Sequence, residues 1–412
     1  MKAISTLGAR LDFVKSVRRV SAGETSAKPE ADLHAGSESP GRSQRKLTVR
    51  CRGGWLHLGV FLLLVFTATQ TLLAATVVAG TCKPGGYPTV QQAIDAAPVG
   101  AKVEVCPGYY EEQIKITKAL TLQGLTDSSG RIASVYSGDN PNATISYGDP
   151  VSADILVENS GGPVNISNIE AMSSVFQTRY AVGIFYQNSP GTINGVRTRG
   201  QWGTGGGIGI LLEGGAAKPH VTVENSSIGE PDYAGVFVET GNQTDLEITA
   251  NIEHNSVWMS GFPEGNATVS AGVIASGGAA VSMNGNVISG YDGYTYGLWI
   301  GPGVTGTVFS NSVDNAITDV ATYADGVSIT SNKIAALIGK AVDLHTALGA
   351  VKGNSIIGII TANVAVEFNC LANPNVGSNT ITSFDVAFDH VPSAINTSSN
   401  KLFVVDKGRT GC

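Results

Sequence analysis

A short phrase, apolar-x-x-Asn-x-apolar, recurs through the second half of this chain and constrains its fold more than any other feature. It reads Val281-Ser-Met-Asn-Gly-Asn286-Val-Ile288, then Val308-Phe-Ser-Asn311-Ser-Val313 and Ile329-Thr-Ser-Asn332-Lys-Ile334. Val351-Lys-Gly-Asn354-Ser-Ile356, Val376-Gly-Ser-Asn379-Thr-Ile381 and Asn400-Lys-Leu402 continue it, with the asparagines from Asn286 onward 21 to 25 residues apart. A period in the twenties denotes a solenoid, because each repeat is one coil that buries its apolar side only against its neighbours.

A second track decides between kinds of solenoid. Between the asparagine phrases lie short alternating apolar runs, often opened by glycine: Gly183-Ile-Phe-Tyr186, Gly209-Ile-Leu-Leu212, Gly235-Val-Phe-Val238, Gly272-Val-Ile-Ala275 and Gly297-Leu-Trp-Ile300. They continue as Val320-Ala-Thr322, Val342-Asp-Leu344, Val364-Ala-Val366 and Val386-Ala-Phe388, each 22 residues after the last. Period-2 runs rich in Val and Ile, bounded by Gly, Asn, Asp and Ser, are strands. Leucine-rich and helical repeats would need a leucine signature or 3.6-period faces, and neither is present. Two or three short strands per turn with asparagine at a fixed bend predict an all-β chain, a parallel β-helix. Asparagine suits a bend because it tolerates the left-handed region and bonds its own backbone. Stacked coil on coil, the amides are expected to form an internal hydrogen-bonded ladder. Gly at 52 residues and a charged fraction of 14% fit strands covered on both sides. A solenoid grows in one dimension, so the length implies a single β-helix domain, 80–412, of eleven or twelve coils.

Upstream, residues 1–54 form a polar extension, either disordered or the product of a misplaced start, with a basic end at Arg42, Arg45, Lys46, Arg50 and Arg52. The apolar run from Trp55 and the small residues after it make 55–79 a secretory signal, with cleavage near Ala75. The alternative is an uncleaved anchor, although the uninterrupted run falls short of the roughly 20 residues a spanning helix needs. Residues 1–79 hold 11 Lys+Arg and 5 Asp+Glu, so from totals of 26 and 33 the remainder keeps 15 and 28, a net −13. That balance argues against nucleic acid and anionic lipid, and disfavours strongly anionic polysaccharides. The expected location is secreted or periplasmic, and the expected state a monomer.

Cys82, Cys106, Cys370 and Cys412 remain, a pair near each end of the solenoid. In an exported chain the simplest reading is two structural disulfides, Cys82–Cys106 and Cys370–Cys412, stapling the terminal coils, though sequence alone leaves the pairing open. No Cys-x-x-Cys supports a metal site, and no cofactor is called for.

The segment Tyr87-Pro-Thr-Val-Gln-Gln-Ala-Ile-Asp-Ala-Ala97, followed by Gly100-Ala-Lys-Val-Glu-Val-Cys-Pro-Gly-Tyr-Tyr-Glu111 and Ile114-Lys-Ile-Thr-Lys-Ala-Leu-Thr-Leu-Gln-Gly124, resembles the opening of the pectin lyase-like right-handed β-helix superfamily. The resemblance implies a short amphipathic helix capping the solenoid, with Val90, Ala93, Ile94 and Ala97 as its apolar stripe. The segment is also similar to NosD-type periplasmic β-helix proteins and to the start of pectin methylesterases, whose Gly-x-Tyr-x-Glu phrase is matched by Gly108, Tyr110 and Glu112. The methylesterase segments that hold the catalytic aspartates and arginine are missing here. So are the polygalacturonase and pectate lyase signatures, and the chain is poor in the Met and His that copper chemistry favours. The resemblance therefore implies the scaffold and no particular activity.

The repeat places side chains. With Val342 and Leu344 inward, Asp343 and His345 point outward. One outward column reads Gln187, Glu213, Glu239, Ser276, Gly301, Tyr323, His345, Glu367 and Asp389. His345 with Asp343 and Glu367 is a candidate acid–base centre, to be weighed against a merely solvated polar face. The other column reads Phe185, Leu211, Phe237, Ile274 and Trp299. With Trp202, Tyr233, Tyr291, Tyr294 and Tyr296 from the adjoining loops, it would wall a central groove on which sugar rings stack, unless a loop covers it. Glu264 and Asp292 are further acidic candidates in that groove, and Arg179, Arg197 and Arg199 are the clustered cations. The favoured expectation is a secreted carbohydrate-binding protein whose partner is a polysaccharide or cell-surface glycan. A polysaccharide lyase or hydrolase and a structural or adhesive solenoid are the alternatives, and the scaffold does not choose among them.

Overall fold

The computed structural model describes residues 75–412, except 139, 173–179, 202, 204, 242–246, 260–269, 291–295, 346–348 and 371–372 and the side chains at 360 and 361. The described chain is a right-handed parallel β-helix of about eleven turns. One wall is a sheet of 12 parallel strands running from Thr76–Ala79 to Asn375–Gly377. A second wall stacks the longer strands Pro150–Glu158, Tyr180–Gln187, Gly207–Glu213, Ala234–Glu239, Ala271–Ala275, Tyr296–Ile300 and Thr318–Thr322. A third stacks the short strands Ile169–Met172, Arg197–Arg199, Ser227–Gly229, Ser256–Trp258, Val287–Ser289 and Ser312–Asp314. In the last coils the second and third walls fuse into continuous strands, Lys333–Leu344, Ser355–Phe368 and Thr380–Asp389. The first described strand, Thr76–Ala79, pairs in parallel with Lys102–Val105.

The first coil is closed by α1 (Val90–Ala96), with Val90, Ala93 and Ile94 buried. Thr89 caps it by accepting from the Gln92 amide. Glu112 completes the cap, its two carboxylate oxygens accepting from the Val90 and Gln91 amides at 2.7 and 3.0 Å. Tyr110 donates to the Cys106 carbonyl at 2.8 Å. The Gly-x-Tyr-x-Glu phrase thus builds the cap. Both disulfides pair as expected, Cys82–Cys106 and Cys370–Cys412.

Asn255, Asn286, Asn311, Asn332, Asn354, Asn379 and Asn400 form the expected ladder. Each backbone N–H and each Nδ2 from Asn255 to Asn379 donates to the Oδ1 of the next asparagine, at 2.8 to 3.1 Å. Each Nδ2 also donates to a carbonyl of the preceding coil, for example Asn332 to Val308 and Asn354 to Ile329. The left-handed residue of the bend is not the asparagine. It is the residue before it: His254, Gly285, Ser310, Ser331, Gly353 and Ser378 all have φ between 55° and 65°. The amide is needed for its hydrogen bonds, and its neighbour takes the strain.

The glycines that open the long strands have a packing cause. A Cβ on Gly209 would sit 2.7 Å from the Gly235 carbonyl and 2.5 Å from Ile228, and a Cβ on Gly235 would meet Gly272 and Val257 in the same way. The coil turns there with no room for a side chain, so the column stays glycine until Asp319.

Candidate functional site

The long-strand wall is apolar on both faces, as its strands' continuous burial shows. Ile184, Tyr186, Ile210, Leu212, Val236 and Val238 face the core, and Leu156, Phe185, Leu211, Phe237, Ile274 and Trp299 face outward. That outward stripe is not an open groove. Phe185, Phe237 and Trp299 are 0%, 4% and 8% exposed, packed in a second apolar cluster with Ile145, Tyr180 and Tyr233, with Tyr147, Tyr296 and Tyr323 at its rim. The stacking face expected of Phe185, Phe237, Trp299 and Tyr233 is therefore closed, because loops and a hairpin lie over it. Burial of a stripe this long is strongly favoured over exposure. Trp202, Tyr291 and Tyr294 lie outside the described residues, as do Glu264, Asp292 and Arg179.

The covering hairpin pairs Ala143–Thr144 antiparallel to Pro150–Glu158. Glu213 holds it down, accepting from the Ser146 amide at 2.6 Å while Gln187 donates to Glu213 at 2.7 Å and to the Thr144 carbonyl at 2.9 Å. A cleft of about 570 Å³ opens beside it, lined by Thr144, Ser146, Glu158, Gln187, Asn188 and Glu213. Those polar groups are largely engaged with one another, so the cleft reads as the seam of the hairpin. Glu213 and Glu239, expected to face solvent, are buried beneath this cover. Burial pushes the Glu239 carboxyl well above the usual carboxylate range, and Glu213 on the preceding coil adds to the shift.

Farther along, the outward column changes character. In register, Ala271–Ala275 is followed by Trp299, Ala321, Asp343, Glu367 and Asp389, so apolar residues give way to carboxylates where the walls fuse. Here the structure corrects the expected register. Glu367 stands beside Asp343, not beside His345, and Val342 pairs with Val366, not Val364. The coil between Asp343 and Glu367 is two residues longer than the 22-residue spacing assumed. The surplus is absorbed in irregularities at Ala336/Ile338 and Gly339/Lys340.

That irregularity brings in Lys340, which the alternation did not single out. Its Nζ lies 2.8 Å from Glu367 Oε2 and 3.2 Å from Asp343 Oδ2. His345 Nε2 lies 3.1 Å from Asp343 Oδ1, and its ring stacks on Tyr323 at 4.3 Å between centroids and 10° between planes. Tyr323 in turn leans on Trp299 at 5.7 Å. Burial alone would raise the Asp343 carboxyl, but His345 and then Lys340 outweigh it and hold the group below its usual value. Burial opposes the charge on Lys340, and Glu367 and Asp343 overcome this to raise its pKa. The side chain of His345 keeps 35% of its surface in solvent and that of Asp343 only 9%. The arrangement is an imidazole oriented by a buried carboxylate, a neighbouring ammonium and an aromatic shelf, open on one side. Asp389 continues the column but accepts from Thr410, and its neighbour His390 lies 3.2 Å from it at the last coil. Among the described residues no cluster of His, Cys, Asp and Glu has the makings of a metal site.

No protein-family model matches the chain. No curated protein matches it in sequence. In structure it is similar to the A-module of mannuronan C-5 epimerase AlgE4 from Azotobacter vinelandii, at 13% identity over 78% of this chain and 92% of that one, with a TM-score of 0.52. It is also similar to the Dettilon tailspike protein, at 13% identity over 80% and 68%, with a TM-score of 0.49. A third is the lidless DFA-IIIase of Arthrobacter chlorophenolicus A6, at 13% identity over 82% and 98%, with a TM-score of 0.45. At such identities the likeness is one of fold, and the fold shared with the epimerase module is the right-handed parallel β-helix.

Proposed function

We propose that this is an exported polysaccharide lyase whose acid–base centre is His345, oriented by Asp343 and flanked by Lys340, Glu367 and Tyr323. The observation that carries the reading is the shared Asp343 carboxylate, with His345 Nε2 3.1 Å from one oxygen and Lys340 donating a hydrogen bond to the other. With Nε2 held by Asp343, Nδ1 is the ring nitrogen left to take a proton. The ammonium of Lys340 would stabilise the charge that develops when a proton leaves the carbon next to a uronate carboxylate. In the elimination that follows, the C5–H electrons form the C4=C5 double bond, the C4–O bond breaks, and the leaving oxygen takes up a proton. Hydrolysis fits less well. It asks for one protonated carboxylic acid at the site, whereas His345 and Lys340 hold the Asp343 carboxyl below its usual value. Export is supported by the basic-then-apolar segment ahead of the solenoid and by the disulfides at its two ends. The printed activity of the epimerase neighbour, on mannuronan at C-5, is compatible with proton abstraction from a uronate.

The test is incubation of the full-length oxidised chain with polygalacturonate, alginate and a neutral glucan, following the ultraviolet absorbance of an unsaturated product. The expected result is turnover of a uronan, lowered by about 100-fold or more in His345→Ala. Absence of unsaturated product from every uronan, or wild-type turnover by His345→Ala, overturns the reading.

A further inference from the structure

The short-strand wall carries a feature that the ladder does not use. Its middle residues Thr198, Ile228, Val257 and Ile288 are buried, so the flanking residues face outward. In one outward column Arg199, Gly229 and Trp258 stand on successive coils, and in the other Arg197, Ser227 and Ser256 do. Trp258 is 48% exposed, whereas Trp299 is packed away. An indole left in solvent on a flat sheet face is a surface built to be covered.

Two further observations say by what. Gly229 leaves a gap between the tryptophan and the arginine. A Cβ there would lie 3.9 Å from Trp258 Cε3, so the indole borders the space that a side chain would fill. Coil spacing of roughly 4.8 Å puts Trp258 and Arg199 about 10 Å apart, with a bare strip between them. At the far side of the strip stand two guanidiniums. The Arg199 side chain is 57% exposed and reaches Glu170 only at 3.7 Å, and Arg197 is exposed with no ion pair among the described residues. In a chain whose solenoid carries a net negative charge, this is a local cationic spot beside an aromatic plate.

We infer that this face is a non-catalytic binding site for a carboxylate-bearing polysaccharide. One sugar ring stacks on Trp258, the chain crosses Gly229, and a carboxylate of a neighbouring sugar meets Arg199 and Arg197. The planar carboxylate suits the guanidinium fork, which engages it with two parallel hydrogen bonds. The hydroxyls of Ser227 and Ser256 flank the path on the adjacent column. The site lies on a different wall from His345 and does not depend on the chemistry assigned there.

The experiment is affinity electrophoresis and calorimetry of the full-length oxidised chain with polygalacturonate, with neutral dextran as control. Polygalacturonate is expected to bind and dextran not. Trp258→Ala is expected to weaken binding by about 10-fold or more, with Trp258→Tyr recovering part of it. The double variant Arg197→Ala/Arg199→Ala should weaken polygalacturonate binding similarly and flatten its dependence on salt. Both sites are exposed, so thermal melting is expected to be unchanged and excludes unfolding as the cause. The inference is overturned by wild-type affinity in both variants, by dextran binding as tightly as polygalacturonate, or by no polygalacturonate binding at all. Binding that persists in Trp258→Ala and vanishes in His345→Ala also overturns it.

Discussion

Asp343 and Glu367, two acidic residues 24 positions apart, stand in register on adjacent coils with the Lys340 ammonium between them. Like charges directly opposite one another destabilise a sheet, and Lys340 converts the repulsion into a bridge. Lys340→Ala is therefore expected to lower stability by about 1 kcal/mol, scaled for the partial exposure of the site. Adding Glu367→Gln should restore most of the loss. Thermal melting of the single and double variants checks it, and a double variant no more stable than Lys340→Ala would contradict the bridge.

Gly339 makes that geometry possible. Its φ is +75°, and a Cβ there would run into the Ile317 carbonyl. Gly339→Ala is expected to destabilise by about 1–2 kcal/mol and to shift Lys340 off its two carboxylates. Under the proposed lyase reading, turnover would then fall further than stability alone accounts for. Rates measured well below the melting temperature separate the two effects.

Stability should fall with rising pH. Asp154 is wholly buried, and burial raises its carboxyl to about 8 from an ordinary 3.8, against the opposing hydrogen bonds of Ser137. Glu239 is raised for the same reason. A folded-state pKa above the unfolded one means that the native state holds a proton the unfolded chain has lost. The contribution is complete below about pH 4 and declines up to the folded value, with a slope of at most about 1.4 kcal/mol per pH unit for each group. Asp154→Asn should flatten the decline between pH 4 and 8. A wild-type melting temperature that stays level across that window would refute the assignment.

The asparagine ladder predicts a graded cost. Asn332→Ala removes an acceptor that takes two bonds from Asn311, and a donor to both Val308 and Asn354. Leaving those buried groups without partners is expected to cost about 3 kcal/mol. Asn400→Ala, at the end of the ladder and bonded locally to Thr397, should cost less. Urea titration of the two variants orders them, and an equal or reversed order would show that the ladder is not cooperative.

How much of this was legible depends on distance along the chain. The coil period and the ladder follow from local phrases, because one coil repeats one set of contacts, and the disulfides match the simplest of the pairings that the sequence left open. The aromatic column was also readable, as a column. Its burial was not, because the cover comes from Ile145 and Tyr147, a hairpin far upstream that carries no repeat signal. The ladder around His345 was placed on the right coils but with Glu367 against the wrong partner. A constant 22-residue spacing conceals a coil two residues longer. The signal that was available is Gly339-Lys340, a glycine inside an otherwise regular strand, which marks an irregularity. Trp258 reads in the sequence as the start of an aromatic loop and not as a strand residue, because a three-residue strand is too short to show alternation.

The ladder has one further consequence. Each rung from Asn255 to Asn379 offers the same acceptor below and the same donors above and is preceded by a residue in the left-handed conformation, with Ser310 and Ser331 at φ 56° and 59°. Joining Ser310 directly to Asn332 would present Asn286 with an amide oxygen just like the one it lost. The molecule is thus divisible at its bends, as a stack of coins is. Its length is an inventory of interchangeable units that ancestry can lengthen or trim without redesigning either remaining half.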